Sequence, residues 1–106
     1  MTAGHRASWL LAEYGADVVI VEPVGGDGRR DAVEFAVFNR GKRSVELDPD
    51  DGDTISRLVE DADVVVVSAG DAMAGWQARD VRRLHELHPR QVFLAMSTAG
   101  LDGPLA

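Results

Sequence analysis

Six consecutive residues, Asn39-Arg40-Gly41-Lys42-Arg43-Ser44, concentrate positive charge in a chain whose formal net charge is −7, and they include its only lysine. A guanidinium can hold a phosphate or carboxylate through two parallel N–H groups, and an ammonium can hold one as a point charge. The glycine between these side chains lets the backbone turn through positive φ and approach a ligand closely. The same residues read equally well as a solvated basic turn ahead of a strand. Glu22 ends a β-branched run, where dinucleotide-binding folds place an acid on the ribose. No Gly-x-Gly-x-x-Gly turn precedes it, so a structural or solvated carboxylate is expected. Gly25-Gly26-Asp27-Gly28-Arg29-Arg30 could be an anion nest with two cations or a flexible loop, and it lacks the Gly-Lys-Ser/Thr ending of a phosphate loop.

Other polar residues point to folding before chemistry. Asp48, Asp50, Asp51 and Asp53 around Gly52 lack the spacing and terminal Glu of a calcium loop, so they predict a turn and a helix cap. His5, His85 and His88 show no metal-ligand spacing and are expected to be exposed. Ser68 and Ser97 have no histidine pattern that would make either a nucleophile. Trp9 and Trp76 read as packing or subunit-contact residues. With no cysteine there is neither a disulfide framework nor a thiolate metal site, and no metal is expected.

The elements that must position these residues alternate between helix and strand. Ala3 to Tyr14 has Ala7, Leu10, Leu11 and Tyr14 at helical spacing, with Gly15 as a C-terminal cap. Asp17–Glu22 predicts a buried parallel strand, and Asp31 to Phe38 a short helix with Val33, Val37 and Phe38 inward. Ser44–Leu47 predicts a second strand, Thr54–Asp61 a helix, and Val64–Val67 the clearest strand of the chain. Arg79–Leu87 predicts a helix with Val81, Leu84 and Leu87 as its inner stripe, and Gln91–Met96 a last strand. This order predicts a Rossmann-like α/β fold, three layers around a parallel sheet with right-handed crossovers. Doubly wound domains usually begin with their central strand, whereas this chain begins with a helix. An incomplete sheet lacking that first strand is therefore expected, with open ladder edges beside the gap.

Composition sets outer limits. At 106 residues, 45% hydrophobic and 27% charged, the chain is one small globular domain. A pI near 4.7 argues against nucleic acid as a general partner. No apolar run approaches the roughly 18 residues of a membrane span, and no secretory signal is recognisable. A cytoplasmic location without a membrane partner is the expectation.

Several blocks in order resemble the family III CoA-transferases, also called the CaiB/BaiF family, which include formyl-CoA transferase, carnitine CoA-transferase and α-methylacyl-CoA racemase. The blocks are Leu11-Ala12-Glu13-Tyr14-Gly15-Ala16-Asp17 running to Glu22-Pro23, Gly25-Gly26-Asp27, and Asn39 through Asp48. Ala62-Asp63-Val64-Val65-Val66, Leu87-His88-Pro89-Arg90 and Gly100-Leu101-Asp102-Gly103-Pro104 continue the order. The resemblance covers essentially the whole chain and matches the N-terminal Rossmann-like part of a much longer subunit.

That resemblance implies coenzyme A or an acyl-CoA as substrate, a carboxylic acid as acceptor, and an interlocked dimer. In the transferases an aspartate attacks the thioester and passes CoA on through an aspartyl-CoA intermediate; in the racemases acid and base residues exchange the α-proton. The transferase aspartate falls beyond Ala106, so no aspartate here takes that role and the chain alone is expected to be inactive. What remains is part of a CoA cradle: Ala3 in the loop after the first strand, Pro23 after the strand acid, Leu47 after the basic turn, and Ser68 ending the Val64–Val67 region. Arg40, Lys42 and Arg43 would hold or steer the anionic ligand, or support the contact around it. Departures from the family pattern bear on affinity. Pro23 supplies no charge, Val67-Ser68-Ala69-Gly70 replaces a usual Glu-Asn-Phe, and Thr2 stands where many transferases have glutamine. The alternatives are a non-catalytic CoA-transferase-like module that assembles as a homo-oligomer or with a catalytic copy, and a truncated NAD-type binding domain.

Overall fold

In a computed structural model, residues 3–48, 50–68 and 78–97 are described. Helices and strands alternate through them: α1 (Ala3–Glu13), β1 (Val19–Glu22), α2 (Val33–Phe38), β2 (Arg43–Glu46), α3 (Gly52–Glu60), β3 (Val64–Ser68), α4 (Ala78–Leu87) and β4 (Val92–Met96). Each element expected from the sequence is present, with ends moved by a residue or two.

Local chemistry sets the boundaries. Gly15, at φ 100°, ends α1. The Ala16 N–H donates to the Leu11 carbonyl at 2.9 Å and the Gly15 N–H to Ala12 at 3.0 Å, the paired bonds that close a helix through a left-handed residue. Asp51 caps α3 by accepting from the Thr54 N–H at 3.2 Å and the Thr54 hydroxyl at 2.7 Å, which settles the acidic cluster as capping chemistry.

The strands form two parallel pairs, β1 with β2 and β3 with β4. Val19 lies opposite Arg43 and Glu22 opposite Glu46; Val64 lies opposite Val92 and Ser68 opposite Met96. No ladder joins the two pairs among the described residues, so the parallel sheet is interrupted. One helix spans the interruption. Ile55 and Val59 of α3 form the core with Leu47, and Val21 and Val45 of one pair and Val65 and Phe93 of the other pack against it.

Two inward stripes, in α2 and α4, differ from expectation. In α2, Val33 and Val37 are exposed while Phe35 is buried. The aromatic rings decide the face: Phe35 meets His5 at 6.2 Å and Phe38 meets Trp9 edge-on at 5.7 Å, and a ring buries more area than a valine. In α1, Leu10, Leu11 and Tyr14 are exposed. In α4, Val81 is buried but Leu87 is exposed; His88, expected at the surface, turns inward instead. Trp76 and the Gly100–Pro104 block lie outside the described residues.

Candidate functional site

In open α/β sheets, ligands bind beyond the carboxyl ends of the strands. Pro23 follows the last residue of β1 and Leu47 follows the last of β2, and the Leu47 N–H donates to the Glu22 carbonyl at 2.9 Å. Ser68 ends β3, and its hydroxyl accepts from the Gly4 N–H at 3.3 Å, which brings Ala3 and the start of α1 to that strand end. Ala3, Pro23, Leu47 and Ser68 therefore all sit at strand ends or at the helix start that meets them. Their exposures differ. Ala3 is exposed, Pro23 half-buried, Leu47 a core residue and Ser68 buried, so Leu47 can offer a ligand little beyond its backbone.

A charge network holds this edge. Glu22 is 0% exposed. Its carboxylate accepts two bonds from the Arg30 guanidinium, each 2.7 Å, one from the Asp27 N–H at 3.1 Å and one from the Ser44 hydroxyl. The Arg30 fork holds its carboxyl down at about 2, against the desolvation that raises it, with help from Ser44 and Asp27. Asp27 is buried and grips Arg29 through Nε at 3.0 Å and Nη2 at 2.8 Å. The Arg29 side chain likewise lowers the Asp27 carboxyl below its usual range. Gly26, at φ 89°, permits the turn, and a Cβ there would lie 3.1 Å from the Arg30 side chain.

The glycine loop is thus neither an open nest nor loose. The Gly25 N–H donates to the Glu46 carboxylate at 3.2 Å, the Gly26 N–H to the Pro23 carbonyl at 2.9 Å, and the Asp27 N–H to Glu22. Three donors that could have faced an anion already bond to the chain. Glu22 is a structural acid and is not solvated.

The basic turn lies at the other end of β2. Gly41 takes φ 80°, and the three cations diverge from it. Lys42 Nζ donates to the His5 carbonyl at 3.0 Å, the Ser8 hydroxyl at 2.7 Å and Asn39 Oδ1 at 2.8 Å, fastening the turn to α1. Arg40 pairs with Glu13 at 3.1 Å, and Arg43 grips Asp17 bidentately at 2.9 and 2.6 Å. Arg43 opens β2 opposite Val19, the amino end of the pair, so the turn and the Pro23–Leu47 edge lie at opposite ends of the strands.

Sequence reasoning missed two clusters. The Glu22–Arg30–Ser44 lock joins residues from β1, a loop and β2; an acid at a strand end followed eight residues later by arginine was its only trace. The other is His88, 7% exposed. Its Nε2 lies 3.0 Å from the Ser56 hydroxyl and its Nδ1 2.8 Å from the Glu60 carboxylate. Ser56 and Glu60 are one turn apart on α3, so together they pin the end of α4 to that helix. His5 is also buried, against Phe35. Among the described residues, no three His, Cys, Asp or Glu side chains gather as metal ligands, and no helix is long and apolar enough to cross a membrane.

Fold and strand order together define an α/β domain of parallel strand pairs alternating with helices. The particular family is given by sequence: residues 1–106 match CoA-transferase family III, and the chain belongs to that family. Over 98% of its length it is 34% identical to succinate–glutarate CoA-transferase of Agrobacterium fabrum, covering 31% of that protein. Over 96% it is 30% identical to formyl-CoA:oxalate CoA-transferase of Rhodopseudomonas palustris, covering 27%. The crystal structure of the hypothetical protein Rv3272 from Mycobacterium tuberculosis superposes with a TM-score of 0.79 at 29% identity, over 98% of this chain and 32% of that one. The chain thus spans about a third of the length of the relatives it matches.

Proposed function

We propose that these residues form the coenzyme-cradling part of a protein that moves CoA between carboxylic acids. The supporting observation is the gathering of Ala3, Pro23, Leu47 and Ser68 at strand ends and the helix start beside them, within a chain that matches CoA-transferase family III throughout. The chemistry proposed is that of the family. An aspartate carboxylate outside this chain attacks the thioester carbonyl and expels CoA thiolate, leaving a mixed anhydride. The thiolate then attacks the aspartyl carbonyl, releases the donor acid as its carboxylate, and leaves an aspartyl-CoA thioester for the acceptor acid. The residues here bind and orient; they do not react. The Glu22–Arg30–Ser44 lock sets the path of the chain leaving β1, so that the backbone around Pro23 is in place before the coenzyme arrives.

The role proposed for Arg40, Lys42 and Arg43 is the supporting one. Each already bonds to acceptors in α1, or just before β1, and each fixes that helix or strand against β2. This also favours a second reading, a non-catalytic module that keeps the family's fold and assembles with a catalytic copy.

Titration of the isotopically labelled chain with CoA tests the first reading. Weak, salt-sensitive binding should shift the amide signals of Ala3, Val24, Leu47 and Ser68. Saturating CoA with no movement at those four amides would remove the cradle reading and leave the assembly module; binding of NAD in its place would make this a nicotinamide-dinucleotide domain.

A further inference from the structure

Ser56, Glu60 and His88 meet in an order that the coenzyme cradle does not use. Ser56 and Glu60 stand one turn apart on the same face of α3, and His88 reaches them from the turn after α4. The His88 N–H closes that helix on the Leu84 carbonyl at 2.9 Å, and its carbonyl accepts the Gln91 N–H at 3.3 Å. The Gln91 side chain in turn donates to the Glu60 carbonyl at 3.2 Å. The backbone carrying the imidazole is therefore held from both sides, and the ring is aimed at α3. Ser56 is half-buried and Glu60 exposed, so a small reagent can reach the hydroxyl.

A clamp alone needs hydrogen bonds of any kind, whereas these run in one direction. Glu60 accepts from His88 Nδ1 at 2.8 Å, which fixes the proton of a neutral ring on that nitrogen. The bare Nε2 then accepts the Ser56 hydroxyl at 3.0 Å. Hydroxyl, base and a third group that orients the base are the parts of an activated nucleophile. Other hydroxyls are engaged differently: Ser8 donates to the Gly4 carbonyl, Ser44 to Glu22, and Ser68 accepts from the Gly4 N–H. Ser56 lies past the first turn of α3, so its own N–H is committed to the helix. In acyl-transfer sites the nucleophile's amide often receives the oxyanion; here it cannot. Proton removal is provided for and rapid turnover is not, which favours a serine that accepts an acyl group and keeps it.

We infer that Ser56 is an acylation site, with His88 as its general base and Glu60 as the positioning residue, and that it takes a small acyl group carried on a good leaving group. Ser56 Oγ bonds to the acyl carbonyl carbon as its proton passes to His88 Nε2. The bond from that carbon to the leaving group then breaks, and the proton follows the departing atom. The products are a serine ester and the protonated leaving group. Because α3 and α4 end where β3 and β4 begin, the site lies at the amino end of β3, away from Ser68 at its other end. Acylation and CoA binding can therefore fail separately.

Incubating the chain with p-nitrophenyl acetate at neutral pH tests the inference, read as p-nitrophenolate release and, by peptide mass, as the position of the acetyl group. Side-chain amine background is confined to Lys42, the only lysine. Release should show a burst of about one equivalent per chain, with acetyl at Ser56 about tenfold or more above Ser8, Ser44 or Ser97. Ser56→Ala should remove the burst. Glu60→Gln, a change at an exposed residue, should leave the urea midpoint close to wild type and cut the burst rate about tenfold or more. It should also move the ring-nitrogen signals of His88 from one tautomer towards a mixture of two, which loss of a clamp alone would not do. A burst that survives Ser56→Ala, acetyl spread evenly over the serines, or a Glu60→Gln chain that acylates at the wild-type rate would overturn the inference.

Discussion

Replacing Glu22 with glutamine should be the most damaging single-atom change in this domain. The carboxylate is wholly buried and takes four donors: two from Arg30 and one each from Ser44 and the Asp27 backbone. Its carboxyl falls from an ordinary 4.5 to about 2 on folding. At 1.36 kcal/mol per tenfold change in proton affinity, that difference is about 3 kcal/mol in favour of the folded chain. Because the folded value is depressed, this contribution is fully present above pH 4.5 and is lost as the pH falls from there towards 2. Glutamine keeps the shape but not the charge, and its NH2 group would face the Arg30 guanidinium. Urea unfolding at pH 7 should therefore show a loss of about 3 kcal/mol, a large part of the stability expected for a domain this size. Between pH 4.5 and 2 the wild-type chain should lose stability faster than the variant, and the two curves should converge; the part contributed by Asp27, also lowered in the fold, should persist in both. A Glu22→Gln chain that unfolds within about 0.5 kcal/mol of wild type at pH 7, or whose gap to wild type stays constant down to pH 2, would refute the assignment of Glu22 as the lock.

Lys42→Met removes an ammonium that donates to three acceptors. It should cost about 2 kcal/mol in denaturant unfolding, in the range for hydrogen bonds to a charged group, while CoA affinity per folded molecule stays within about twofold by titration. Asp51→Ala removes the cap of α3 and should speed amide exchange at Thr54 more than at Val59, with a lower thermal midpoint.

Period and punctuation made the fold legible. Gly15 after Tyr14, the β-branched runs, and the acids before Thr54 each state a local rule that the structure obeys at that place. The misread side chains share a different cause. Val33, Val37 and Leu87 sit at helical spacing, and spacing says which residues share a face but not which face turns inward. For α2 that choice belongs to Phe35 and Phe38, because His5 and Trp9 of α1 are there to receive them. For the end of α4 it belongs to His88, because Ser56 and Glu60 of α3 present matching polar atoms. Both choices are made by partners distant in sequence, so neither is written in the segment that obeys it.

The basic turn shows the same limit in the candidate site. Its residue types allow anion binding, and in the fold Glu13, Asp17, Ser8 and the His5 carbonyl already supply acceptors to its three cations. Three cations of an acidic protein are used to fasten one helix and one strand, each by bonds to oxygen. That arrangement supports the framework role proposed for the turn. A Gly at 41 with φ 80° sends Arg40 and Lys42 to different parts of α1, the Glu13 end and the His5–Ser8 turn. Residue pattern and ligand contact part company in the reading proposed above, where the motif holds the frame and CoA contact is assigned to plain positions such as Ala3 and Leu47. The amide shifts proposed above separate the two. A CoA-dependent shift confined to Arg40–Arg43, with none at the strand ends, would return the turn to the role of an anion clamp.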